Sequence, residues 1–144
     1  MEIINETKFE KIKARLKENP EIVFTSEDDE FTRKIMEKLP IKTILINQSK
    51  RKDFQKQRNS GFNQVHAKIA KKNTIQIGIN LDEIIESNPG EKSKILARTI
   101  QNIQLCNKNK IQMKFISQKY SRDKTLTKSL GLILGMPTWM TKEL

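Results

Sequence analysis

The stretch EIVFTSEDDEFTRKIMEKLPIKTILIN, Glu21 to Asn47, decides the fold. Ile22-Val23-Phe24 is a short apolar run of the kind that fills a buried strand. Ser26 follows as a helix N-cap with Asp29 three residues on, and Glu27, Asp28 and Glu30 share the first turn, where the helix dipole favours negative charge. The helix then repeats Phe31, Ile35, Met36 and Leu39 on one face and stops at Pro40, after which Thr43 to Ile46 reads as a second buried strand. Two buried strands joined by an amphipathic helix form a βαβ unit, and such units build parallel sheets.

The same alternation extends in both directions. Upstream, Glu2 to Ile4 reads as a strand and Lys8 to Asn19 as a helix with Phe9, Ile12 and Leu16 on one face, stopped by Asn19-Pro20. Downstream, Phe62, Val65, Ile69 and Ala70 form a helical stripe, followed by a strand over Thr74 to Ile79. Leu81 to Ser87 reads as a short acidic helix, Asn88-Pro89-Gly90 as a turn, and Glu91 to Asn107 as a long helix burying Leu96, Ile100, Ile103 and Cys106. Ile111 to Ile116 is the last strand. Ser121 to Leu134 reads as a helix broken by Gly135, and Pro137 suits the first turn of a terminal helix.

The expected fold class is therefore α/β, a parallel sheet of four to five strands with alternating helices. A complete eight-fold barrel takes about 250 residues, so the 144 residues here suit an open sheet or a truncated barrel in a single domain spanning 1–144. Ligands meet such sheets beyond the C-terminal ends of the strands, which points to Asn47 to Arg58, Asn80 to Asp82 and Ser117 to Lys124.

Charge adds a functional direction. The chain carries 28 basic and 17 acidic residues, net +11. Met1 to Asn47 holds 9 basic and 10 acidic residues, so the excess lies beyond it. Gln48 to Lys72 has 8 basic residues against 1 acidic, and Lys92 to Lys128 has 10 against 1, with an acidic segment between them. Segregated cations of this kind concentrate polyanions, and nucleic acid is the expected partner. Lys outnumbers Arg 22 to 6; an A/T-rich genome would favour that, but it would not segregate the charge. Phe54 and Tyr120 are the only aromatics in the basic strand-end loops Asn47 to Arg58 and Ser117 to Lys124, so recognition should run through backbone and shape rather than base stacking. Arg51, Lys52, Lys56, Arg58 and Asn59 in the long loop, and Lys119, Arg122 and Lys124 beyond the last strand, are the candidate RNA contacts. Arg98, mid-helix, is a further candidate whose alternative is pairing with Asp82 or Glu83.

Several activities are disfavoured. One cysteine, Cys106, excludes an internal disulfide and a cysteine zinc cage, and one histidine, His66, cannot build a His-rich metal centre. Cys106 reads as a small core residue rather than a nucleophile, and His66 as surface or partly packed. Asp82, Glu83 and Glu86 could hold Mg²⁺ through oxygen ligands, but capping of a short helix explains them more simply. No apolar run approaches the ~20 residues of a membrane span, no signal peptide is apparent, and the expected location is the reducing cytoplasm.

Two blocks of residues carry a resemblance. Gln57-Arg58-Asn59-Ser60-Gly61-Phe62-Asn63-Gln64-Val65 with Ala67-Lys68-Ile69-Ala70 is the first. Ile95-Leu96-Ala97-Arg98 and Gln101-Asn102-Ile103-Gln104-Leu105-Cys106-Asn107-Lys108, then Met113 to Ser117, Arg122-Asp123 and Leu134-Gly135-Met136, make the second. In this order they resemble the archaeal ribonuclease P protein component 3 family, counterpart of the thirty-kilodalton eukaryotic subunit, over about Lys42 to Met136. The resemblance implies a barrel related to the polymerase-and-histidinol-phosphatase type, with a shortened N-terminal part (1–41). It implies a non-catalytic RNA-binding subunit of the particle that removes the 5′ leader of precursor tRNA, where the RNA is the catalyst and uses Mg²⁺. Implied partners are the ribonuclease P RNA, protein component 2 in a heterodimer or heterotetramer, the other ribonuclease P proteins and, indirectly, precursor tRNA. His66 stands where relatives carry an apolar residue. The competing reading is a basic scaffold acting mainly through protein contacts in an RNA-processing complex.

Overall fold

A computed structural model describes residues 2–120 and 122–144. Five strands, β1 (Ile3–Ile4), β2 (Val23–Thr25), β3 (Thr43–Ile46), β4 (Gln76–Asn80) and β5 (Met113–Ile116), lie side by side in chain order, every neighbouring pair parallel. Helices α1 (Phe9–Glu18), α2 (Asp29–Lys38) and α3 (Gln64–Asn73) return the chain after β1, β2 and β3. The short α4 (Leu81–Glu86) and the long α5 (Pro89–Lys108) follow β4, and α6 (Lys124–Ile133) and α7 (Thr138–Thr141) follow β5.

Right-handed crossovers that always step the same way put all helices on one face of the sheet. The main core agrees: Phe24, Ile44, Ile77 and Met113 from the strands pack with Ile12, Ile35, Met36, Ala67, Ile95, Ile103 and Cys106 from the helices. The other face carries a small cluster of Val23, Leu45 and Ile116 with Ile3 against it. A pocket of about 130 Å³ is lined by both Ile3 of β1 and Ile116 of β5, so the sheet curls until its edge strands face one another. They are not hydrogen-bonded partners, and the sheet is open. Gly78 permits this close packing, since a Cβ there would stand 2.5 Å from Ile116 Cδ1.

Local signals were redistributed in several places. Asp28, not Ser26, caps α2, its carboxylate accepting from the N–H groups of Glu30 and Phe31, while Ser26 Oγ accepts from Asp28 N–H. Asn88-Pro89-Gly90 is no separate turn: Asn88 caps α5 and Pro89 opens it, a position where proline lacks only an N–H that has no helical partner. Thr74, expected to begin β4, instead ends α3 in the left-handed region at φ 53°. The start expected for α6 at Ser121 lies outside the described residues; among them the helix opens at Lys124, capped by Asp123.

Candidate nucleic-acid interface

Because all strands run one way, their C-terminal ends deliver every βα connection to one side of the molecule, among them the loop 47–63, the turn into α4, and residues 117–120 beyond β5 with 122–123 ahead of α6. Asn80 Nδ2 donates to Asn47 Oδ1 (2.8 Å) and Asn47 Nδ2 to Thr25 Oγ1 (3.2 Å), a polar chain across the ends of β4, β3 and β2.

The long basic loop is held from inside by Arg98 of α5. This side chain is 2% exposed, and its Nη1 donates to Gln48 O (2.8 Å), its Nη2 to Arg51 O (2.9 Å) and its Nε to Asp53 Oδ1 (3.1 Å). The pairing with Asp82 or Glu83 considered from the sequence does not form; Asp53, inside the basic tract, takes that role. Asp53 also accepts from Asn59 N–H (2.9 Å), and this bond with the Arg98 bond holds its carboxyl below the ordinary range. Gln48 Nε2 and Asn102 Nδ2 both donate to Ser60 O, joining the two ends of the loop. Arg51 folds back as well: Nη1 and Nη2 grip the Asp29 carboxylate at 3.0 and 3.1 Å while Nε donates to Asn47 O at 2.7 Å. Gly61, at φ 74°, leaves room for that guanidinium, which a Cβ would meet at 2.3 Å.

Of the nine residues singled out from sequence, Arg51 and Arg98 are thus engaged in shaping the loop. Lys52, Lys56 and Arg58 are exposed along it, and Asn59 is half-buried with its backbone on Asp53. Lys119, Arg122 and Lys124 are exposed beyond β5, with Lys119 Nζ on Glu86 Oε1 at 3.0 Å; the Glu86 carboxylate raises the Lys119 pKa above its ordinary value. A cleft of about 370 Å³ between the ends of β2 and β3 is lined by Lys50, Lys52, Asn59 and the acids Glu27 and Asp29.

The neighbours Asp82 and Glu83 clamp the two basic loops on either side of α4. Asp82 accepts from the N–H groups of Gln118, Lys119 and Tyr120, and Glu83 from those of Gln48 and Ser49. Burial raises the Asp82 carboxyl, but these three N–H groups and the Ser117 hydroxyl together hold it below the ordinary range. Among the described residues Asp82, Glu83 and Glu86 form no group of three that could hold a metal; Asp82 and Glu83 accept from backbone N–H groups and Glu86 pairs with Lys119.

His66 and Cys106 are both internal. His66 is 5% exposed, stacks on Phe62 and closes a capping box with Asn63, and burial pushes its pKa down. Cys106 is fully buried and its thiol is pushed up to about 12 by burial. Trp139 packs on the main core with its Nε1 on Asn107 Oδ1 at 3.3 Å.

Charge maps onto the fold less simply than onto the sequence. Each basic block is split, because a βα unit sends its loop to one end and the C-terminus of its helix to the other. The loop end also gathers Glu27 to Glu30, Asp53, Asp82, Glu83, Glu86, Glu91 and Asp123. Sequence reasoning missed Gln48, Asp53, Ser60 and Asn102, polar residues whose anchoring roles depend on contacts 12, 42 and 45 positions away.

No family model matches the chain, and no curated protein does. Among solved structures it is similar to a chain in the cryo-EM structure of archaeal ribonuclease P with mature tRNA, with a TM-score of 0.79 and 18% sequence identity. That likeness covers 97% of this chain and 62% of the other, so this chain has the fold of about three fifths of a chain in an archaeal ribonuclease P particle.

Proposed function

We propose that this chain is a non-catalytic, RNA-binding protein subunit of archaeal ribonuclease P of the component 3 type, assisting the RNA in removing the 5′ leader of precursor tRNA. The observation that carries the reading is the likeness over 97% of the chain to a chain of that particle, reached independently of the two sequence blocks. The strand order β1 to β5 without reversal is also that of a segment cut from an eight-fold barrel.

In this reading Lys52, Lys56, Arg58, Lys119, Arg122 and Lys124 contact phosphates, releasing counterions and offsetting repulsion between RNA segments. Arg51 and Arg98 act one step back by fixing the loop. The non-catalytic part of the reading rests on the engaged state of the reactive side chains: burial disfavours the charged form of His66, which is occupied in a cap, and the Cys106 thiol is far from forming a thiolate. Mg²⁺ belongs to the RNA.

A protein partner, component 2 in this reading, is favoured by a separate feature. Leu126 and Ile133 are 55% and 81% exposed on α6, beside an apolar groove of about 230 Å³ lined by Leu81, Ile84 and Ile85 of α4. The scaffold alternative would make that face the main interface.

Reconstitution tests the function: precursor-tRNA cleavage by the RNA and the remaining proteins at low Mg²⁺ should fall when this chain is left out. Undiminished cleavage contradicts the proposal.

A further inference from the structure

The loop end carries acids among its cations, but the two connections that enter β4 and β5 at the opposite end do not. Between Phe62 and Leu81, and between Lys92 and Arg122, the chain contains no Asp or Glu. These stretches supply the last turn of α3 with its connection to β4, and the last turn of α5 with its connection to β5. Because β4 and β5 are parallel neighbours, with Ile77 beside Met113, both connections arrive at the same edge.

Four lysines stand there. Lys71, Lys72, Lys108 and Lys110 are all exposed, and among the described residues none is ion-paired with a carboxylate. A groove of about 210 Å³ lies between Lys71 and Lys110, lined also by Thr74 and Gln112 and floored by the buried Ala70, Ile75 and Ile111. Lys110 is held in place: its backbone is left-handed at φ 58°, and its Nζ sits 5.5 Å from the centre of the Trp139 ring.

Helix ends attract cations, which accounts singly for Lys71, Lys72 and Lys108. It accounts neither for Lys110, beyond the helix, nor for the missing acids, since elsewhere at this end Arg15 meets Glu2 and Lys42 meets Glu21. A protein partner would look for an apolar centre. The exposed large apolar side chains, Phe54, Val65, Leu126, Leu132 and Ile133, all lie outside these two turns.

We propose that the edge formed by Lys71, Lys72, Lys108 and Lys110 is a second phosphate-backbone surface, so that RNA is held at both ends of the sheet. The proposal rests on the RNA-binding reading above. It makes the chain a bridge between two RNA segments, with the phosphates of one lying along the 210 Å³ groove.

The test uses the full chain and a transcript of the catalytic domain of ribonuclease P RNA, with affinity followed against salt. Lys71→Ala, Lys72→Ala and Lys110→Ala together should lower the log–log slope by about 2–3, at about 0.7–0.9 per lost contact. The corresponding arginine triple variant should keep the wild-type slope, which separates charge from folding. A slope unchanged in the alanine variant overturns the second surface while leaving the RNA-binding reading intact. Absence of salt-dependent binding by the wild-type chain overturns both.

Discussion

Replacing Arg98 by Met distinguishes a loop anchor from a phosphate contact. Methionine keeps most of the buried volume but removes the guanidinium, stranding the carbonyls of Gln48 and Arg51 that it serves at 2.8 and 2.9 Å. A hydrogen bond to a charged group contributes about 1.5–3 kcal/mol. At the lower bound, the two carbonyl bonds give about 3 kcal/mol, with no contribution counted for the solvent-screened Asp53. If the whole domain bears the loss, Tm falls by about 6–12 °C. If the loop opens by itself, the open population of 48–60 rises about a hundredfold, from the factor of ten per 1.4 kcal/mol. Trypsin reads that opening directly, because Arg51, Lys52, Lys56 and Arg58 are cleavage sites inside the loop. Cleavage there should accelerate in the variant in proportion to the open population. An unchanged Tm and unchanged loop cleavage, with a weaker salt dependence of RNA binding, would refute the anchor and return Arg98 to the interface.

Lys52→Ala with Arg58→Ala should lower the salt slope of RNA binding by about 1.4–1.8 at unchanged Tm, whereas Arg51→Ala, which strands Asp29, should lower stability; equal Tm for all three would contradict the division. Asp82→Asn removes a negative charge, so electrostatics alone predicts tighter RNA binding. The clamp predicts weaker binding, with faster amide exchange at Gln118 to Tyr120, and tightening would contradict it; Glu143→Gln at the far end is the control. Because the Asp82 and Asp53 carboxyls are depressed in the folded state, their contribution is complete above the ordinary carboxylate pKa near 4. It is lost only as pH falls through the depressed values, so loop exchange should stay slow down to about pH 4. Cys106 should resist alkylation at pH 8 until the protein unfolds, since its thiol lies near 12; rapid labelling of the native chain would contradict its burial.

The strands and most helices were legible because they rest on local signals. β3 runs over Thr43–Ile46 as its β-branched run and flanking Pro40 and Asn47 predict. The fifth strand is shorter than the expected Ile111 to Ile116, because Ile111 N–H closes the end of α5 by bonding to Cys106 O. The buried face of α5 was the main misreading. Leu96 and Ile100 are only partly buried, while Arg98, Thr99 and Asn102 turn inward, because this helix must anchor a loop as well as fill a core. Apolar periodicity has no means of showing a buried arginine whose partners are backbone carbonyls 47 and 50 positions away. For the same reason the basic tracts were visible as charge but not as surface: parallel topology divides each between the two ends of the sheet.

Lysine acylation of the chain in the presence and absence of ribonuclease P RNA reads contact at both ends of the sheet in one measurement. RNA bound at both ends should protect Lys52, Lys56, Lys119 and Lys124 at the loop end, and Lys71, Lys72 and Lys110 at the other. Lys11, Lys13 and Lys17 of α1 should react equally in both states. Protection confined to α1, or no protection at all, would contradict the claim that RNA is bound through the ends of the sheet.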